Sequence, residues 1–167
     1  MADAQYWIDH LTLEPHPEGG FFRETYRSPL VIRKSALPAT FGGPRNASTA
    51  IYFLLAGPDF SALHSLAADE VWHFYDGSAL LVHSIDPYGN YSVIKLGQNA
   101  EADEQLQCVV PGGYWFGSSL EEPDTYALVG CTVAPGFHFA DFRMARRADL
   151  LAQYPQHRDV IHNLTRG

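Results

Sequence analysis

The chain has 167 residues, a length that predicts one domain with at most a small appendage. Apolar residues make up 46% and charged residues 18%, which excludes a disordered or low-complexity chain, while the aromatic share of 13% suits pleated surfaces better than a helical bundle. Eleven Lys and Arg against 19 Asp and Glu leave a net charge of −8, which excludes a non-specific nucleic-acid binder and disfavours an anionic membrane surface.

Residues 1–13 predict a short amphipathic helix, capped by Asp3, with Trp7, Ile8 and Leu11 as one apolar stripe. Met1 to His10 has neither a basic stretch nor an apolar core, so no signal peptide is expected. No apolar run approaches the ~20 residues that span a bilayer, and a cytoplasmic protein is the expectation. Pro15, Pro17, Gly19 and Gly20 break the helix, and Phe21 to Arg27 follows as a strand. Strict alternation puts Phe22, Glu24 and Tyr26 on one face and Phe21, Arg23 and Thr25 on the other. Ser28 to Asn46 reads as a long loop with one short strand at Leu30 to Arg33.

Thr49 to Ala56 is a nearly continuous apolar run, as in a strand buried on both faces. Strands then recur at Ser61 to Ser65, Val71 to Tyr75, Leu80 to Ile85, Tyr91 to Leu96, Gln107 to Val110, Trp115 to Gly117 and Tyr126 to Val133. Turn residues such as Asp76-Gly77 and Pro87 to Asn90 separate them, and Asn99 to Gln107 reads as an exposed acidic loop. Many short strands with regular turns predict an all-β sandwich or barrel. Phe137 to Phe142 is expected to extend the sheet, Arg143 to Tyr154 to be helical, and His157 to Leu164 to add a further turn or two. Cys108 and Cys131 read as buried free thiols, and their spacing leaves open whether they can pair.

One stretch narrows the fold. His64 is followed by Glu70 six residues on and by Gly77 after a further six-residue gap, and Pro111-Gly112-Gly113 lies downstream. This resembles the two motifs of the cupin superfamily. The segments 16–26 (HPEGGFFRETY), 69–74 (DEVWHF) and 133–137 (VAPGF) are similar to the small, single-domain, functionally uncharacterised cupins. The resemblance implies one cupin domain over residues 1–167. Its fold would be all-β: a double-stranded β-helix, or jelly-roll barrel, over about 14–142, with flanking helices at about 3–12 and 143–164. It also implies a homodimer and a pocket in the barrel mouth.

Cupins that hold a metal use two histidines and a glutamate of the first motif and a histidine of the second. Here the second and fourth positions are Leu66 and Phe116, which offer no lone pair. His73 would replace them only if it faced inward, and alternation from Glu70 sends it outward with Val71 and Tyr75. No metal and no other cofactor is expected. The inward set on that register is His64, Leu66, Glu70, Trp72 and Phe74, with Glu24, Tyr26 or Arg23, and Tyr52 from the opposite sheet. His64 and Glu70 are the candidate catalytic pair; Glu18, Arg23, Glu24, Tyr52, Trp72 and Phe74 are the candidate substrate-binding residues.

Polar groups among aromatic planes suit a small polar, carbohydrate-like molecule. The run from Glu18 to Glu24 is also similar to the Arg-Gly-x-Phe-x-Glu run of deoxysugar-nucleotide epimerases, with Gly19 where those have Arg. The expectation is therefore a binder of such a molecule, extending to a metal-independent isomerase or epimerase. A non-catalytic binding or sensing cupin and a metal-dependent oxygenase or isomerase are the alternatives. His138 and His157 are read as surface residues, His83 as a satisfied core or interface histidine, and Asp141 as part of a solvated or dimer-contact face.

Overall fold

The computed structural model describes residues 3–167. Its helix α1 (Ala4–His10) is capped by Asp3, whose carboxylate accepts from the Tyr6 N–H at 2.8 Å. Met1 and Ala2, the first two residues of the expected helix, lie outside the described residues. Thirteen strands follow among the described residues. They are β1 (Glu14–Pro15), β2 (Phe21–Arg27), β3 (Val31–Ile32), β4 (Arg45–Asn46), β5 (Thr49–Ala56), β6 (Phe60–Leu66), β7 (Asp69–Gly77), β8 (Leu80–Ile85), β9 (Tyr91–Leu96), β10 (Gln107–Val110), β11 (Trp115–Leu120), β12 (Tyr126–Ala134) and β13 (Phe142–Met144). Helices α2 (Arg147–Gln153) and α3 (Arg158–Asn163) close the chain.

Two antiparallel sheets carry the fold. One has the order β1-β2-β5-β12-β7-β10 and the other β13-β6-β11-β8-β9, with β3 and β4 forming a separate ribbon. Such non-sequential neighbours are what a jelly roll requires. Period-2 alternation puts one face of each strand between the sheets. Phe53 and Leu55 of β5, Trp72 and Phe74 of β7, Val129 and Cys131 of β12 therefore meet Leu66 of β6, Val82 of β8 and Phe116 of β11 in one core. The outer faces are covered by the helices. Trp7 and Ile8 of α1, with Leu11 at its C-terminal cap, pack on Leu54 and Leu128, while Leu150 of α2 and Ile161 of α3 pack on Leu63 and Ile85 of the other sheet. Leu54 and Ile161 are fully buried, each stabilising by roughly 2 kcal/mol on apolar area.

Two expectations are corrected. Phe137 to Phe142 does not extend the sheet: a 3-10 turn occupies Phe139–Asp141, and only Phe142–Met144 pairs, with β6. That pairing takes up the start of the expected C-terminal helix, so α2 begins at Arg147. The Cys question also closes. Cys108 of β10 and Cys131 of β12 stand opposite Trp72 on either side of β7. Two strand spacings of about 4.8 Å hold their backbones roughly 10 Å apart, beyond disulfide reach.

No helix among the described residues is long and apolar enough to cross a membrane.

Candidate functional site

The turn 16–20 builds the floor of the barrel mouth. The Gly20 carbonyl accepts from the His16 N–H, the His16 carbonyl from the Gly19 N–H, and His16 Nδ1 from the Glu18 N–H at 3.1 Å. Gly19 has φ +113°, and a Cβ there would stand 2.0 Å from the Phe60 carbonyl oxygen, so glycine alone fits. The turn is fastened to β6: the Glu18 carbonyl accepts from Ala62 N–H, and Arg166 bonds Glu18 O, Phe60 O and Asp59. This clamp drives the Glu18 side chain inward beside Ser61 and His64.

Those three residues and Glu70 form a polar floor. Ser61 Oγ–H donates to Glu18 Oε2 at 3.2 Å. His64 Nδ1 lies 2.7 Å from the Ala62 carbonyl and 3.0 Å from Glu18 Oε2. A carbonyl only accepts, so Nδ1 carries the proton and shares it between the two oxygens, which leaves Nε2 as the lone-pair nitrogen. Burial draws His64 down to about 3, only partly opposed by the Ala62 carbonyl, and burial draws His16 down to about 4. Burial, reinforced by the nearby Glu70, raises the Glu18 carboxyl well above the usual range. The His64–Glu18 contact is thus a hydrogen bond between neutral groups, not an ion pair. Burial also pushes Glu70 up to about 7, opposed in part by a hydrogen bond from the Cys131 thiol. Glu70 Oε2 and Trp72 Nε1 have no hydrogen-bond partner.

Above this floor is a cavity of about 460 Å³, within the range of small-molecule sites. Phe22, Phe53 and Trp72 wall it, Leu66, Ile51 and Val133 fill between, and Phe137, His138 and Phe139 reach over from the β12–β13 connection. Glu24 and Arg27 lie at the rim, paired through two hydrogen bonds of 2.9 and 2.8 Å. A bulge brings both there: Glu24 stands opposite Ile51 but Tyr26 opposite Ala50 and Arg27 opposite Thr49, one residue out of step.

Of the sequence candidates, the structure brings His64, Glu70, Glu18, Glu24 and Trp72 together around the cavity. It places three elsewhere. Arg23 faces outward, donating to the Leu11 carbonyl at 3.1 Å. Tyr52 alternates with cavity-lining Ile51 and Phe53, so it points away and meets Tyr75 edge-on. Phe74 shares the face of Trp72 but packs in the core and does not line the cavity. Tyr26 is half exposed because the bulge replaces it at the rim with Arg27.

Sequence reasoning missed His16, Arg27, Ser61, Cys131 and the Phe22–Phe53 wall. Alternation carried along Thr49, Ile51 and Phe53 was the available signal for that wall. His138, read as a surface residue, lines the mouth. Asp141, read as part of a solvated or dimer-contact face, pairs with Arg45 through bonds of 2.7 and 2.6 Å with both side chains buried. His157 donates to the Gly89 carbonyl, and His83 is held between Tyr91 and Ser119.

A wider groove of about 690 Å³ lies outside the barrel, along His83, Tyr91 and α3. Its histidines are already engaged by those partners, and no buried polar atom there lacks one, so the barrel cavity is the candidate site. A resident metal does not fit it. Leu66 and Phe116 occupy two ligand positions, and the Phe116 ring lies 4.1 Å from that of His64. Among the described residues no group of three or more His, Cys, Asp or Glu is placed to hold an ion.

Floor, wall and rim within a jelly roll define a cupin. The comparisons agree. The family described as Cupin superfamily (DUF985) matches residues 5–145, and the chain belongs to it. Protein SO0799 from Shewanella oneidensis shares 41% identity at TM-score 0.90, covering 99% of both chains. A hypothetical protein from Leishmania major shares 37% at TM-score 0.90, covering 99% of this chain and 100% of that one. The uncharacterized protein YML079W of Saccharomyces cerevisiae is 33% identical over 162 residues, 90% of this chain and 79% of that one.

Proposed function

We propose that the barrel binds a small polar ring-bearing molecule of the carbohydrate-like class and moves a proton on it without a metal, as an isomerase or epimerase does. One observation carries this reading: Glu70 and His64 line the same aromatic-walled cavity with proton affinities displaced in opposite directions, to about 7 and about 3. Such divergence is how a site assigns acid and base roles.

A carboxyl that titrates near neutrality suits proton exchange at physiological pH. As a carboxylate, Glu70 takes the proton from a carbon beside a carbonyl. The C–H pair moves to form the enolate. In an epimerisation solvent delivers a proton to the opposite face of that carbon; in an isomerisation the carbon bears a hydroxyl whose proton passes to the enolate oxygen, and Glu70 returns its proton to the former carbonyl carbon, so no oxidant enters. His64 Nε2 accepts from a ligand hydroxyl and fixes the ring.

The low proton affinity of His64 favours a second reading, binding without turnover. Solvent deuterium exchange into candidate keto-sugars, followed by NMR, tests the first. Exchange that is lost in Glu70→Gln supports it; no Glu70-dependent exchange in any sugar that raises the melting temperature leaves a binding module.

A further inference from the structure

The charge of the ligand can be read from the cavity, given its reading as a small-molecule site. We propose that this ligand carries a positively charged amine, held between the carboxyl groups of Glu18 and Glu70 and among the rings of Phe22, Phe53, Trp72 and Phe137.

The floor holds two carboxyl groups and no buried cation. Arg27 is the one Arg or Lys among the described lining residues, and it stands at the rim, bound to Glu24, Asn46 and the Phe137 carbonyl. Glu18 is 6% exposed and Glu70 is 7% exposed, so neither is neutralised by bulk water. Nature has cheaper neutral hydrogen-bonding groups in Asn and Gln. A carboxyl differs from those in one respect: it can become an anion when a cation arrives.

Two orphaned atoms point the same way. Glu70 Oε2 accepts from nothing in the protein, and an ammonium N–H supplies what it lacks. Trp72 Nε1 donates to nothing, which calls for a ligand oxygen. Ammonium and hydroxyl on one ring satisfy both. Aromatic rings attract cations and repel anions, and a chain of net charge −8 draws cations towards it. Phosphorylated sugars are excluded on the same grounds.

A proton signature follows. Without ligand, burial keeps protons on both carboxyls. The groups facing them are His16 from the turn, His64 from β6, Cys131 from β12, Cys108 from β10, Glu24 and Arg27 at the rim of β2, and the exposed His138 from the β12–β13 connection. None is a buried cation, so an incoming ammonium is what ionises the carboxyls, and binding expels a proton.

Three probes of one shape separate the possibilities: cyclohexylmethylammonium, cyclohexylmethanol and cyclohexanecarboxylate. They are titrated into the whole chain at pH 6, watching the Trp72 indole N–H by NMR, with calorimetry in two buffers to count protons. The ammonium should bind about tenfold or more tighter than the alcohol and release protons, with the carboxylate weakest. Glu70→Gln and Glu18→Gln, both isosteric, should each remove most of that preference. Equal binding of ammonium and alcohol overturns the charge inference and leaves the small-molecule reading standing. No shift of Trp72 with any probe overturns both.

Discussion

Arg45 and Asp141, 96 positions apart, join through two hydrogen bonds of 2.7 and 2.6 Å with side chains 3% and 5% exposed. The pair ties β4, at the end of the long loop after β2, to the turn that follows Phe137 and His138. It therefore holds the upper lip of the cavity. Asp141→Asn leaves a buried guanidinium without its counter-charge. The expected loss is about 3 kcal/mol, near the lower end for broken buried pairs because this one lies close to the rim. A chain of this size should melt roughly 10 °C lower, with amide exchange rising first across residues 136–141.

Glu70 and the buried histidines pull stability in opposite directions with pH. Glu70 titrates at about 7 when folded, against an ordinary 4.5. Its contribution is fully present below 4.5 and is lost as pH rises through 7, since the folded state alone keeps the proton in that window. Glu70→Gln should therefore gain on the parent as pH rises from 5 to 7, by up to about 1.4 kcal/mol per unit in urea unfolding. A parallel pair of curves would refute the assignment.

His64 and His16 act on the acid side. They titrate near 3 and 4 when folded, against 6.5. Here the unfolded chain binds the proton, so their contribution is present above 6.5 and is lost as pH falls towards 4. His64→Gln should flatten that acid-side fall while leaving stability above pH 7 without further pH dependence of its own. Melting temperatures between pH 4 and 7.5 read this directly.

Gly19→Ala sets a backbone conflict against the Phe60 carbonyl at a left-handed φ of +113°. The strain and the contact together should cost about 2 kcal/mol or more. Because the turn aims Glu18, the same variant should also restore ordinary acidity to that carboxyl, visible by NMR titration of its side-chain carbon.

Leu66 and Phe116 stand where histidines would complete a metal set beside His64 and Glu70. The double variant Leu66→His, Phe116→His should retain nickel or zinc at near-stoichiometric levels by elemental analysis, and the parent less than about a tenth of that. Equal metal in both proteins would show that the apolar pair is not what bars an ion.

Legibility in the sequence followed the range of the physics. β8, β9 and β10 have the bounds that alternation and turn residues set, because both signals act within a few residues. The motif around His64 and Glu70 carried the fold. Phe137 and Phe139 misled: their apolar character serves the cavity mouth, and nothing local separates that from a strand. The Arg45–Asp141 pair left no trace, since a charge pair spanning 96 residues has no spacing to detect. Arg23 and Tyr52 were misplaced because nothing local says which face of β2 and β5 meets the barrel; Tyr26 was misplaced and Arg27 missed because β2 changes phase along its length.

That phase rests on Thr25, the extra residue of the β2 bulge. In an unbroken strand, residues three apart face opposite sides, yet Glu24 and Arg27 share one and form an ion pair at 2.8 Å. A spacing native to helices is thereby made to work in a sheet. Losing Thr25 would keep both charges at the entrance on a regular strand, whereas adding one residue there would exchange the guanidinium for its neighbour. Chain length at a single point, rather than the choice of side chain, governs which group guards the way in.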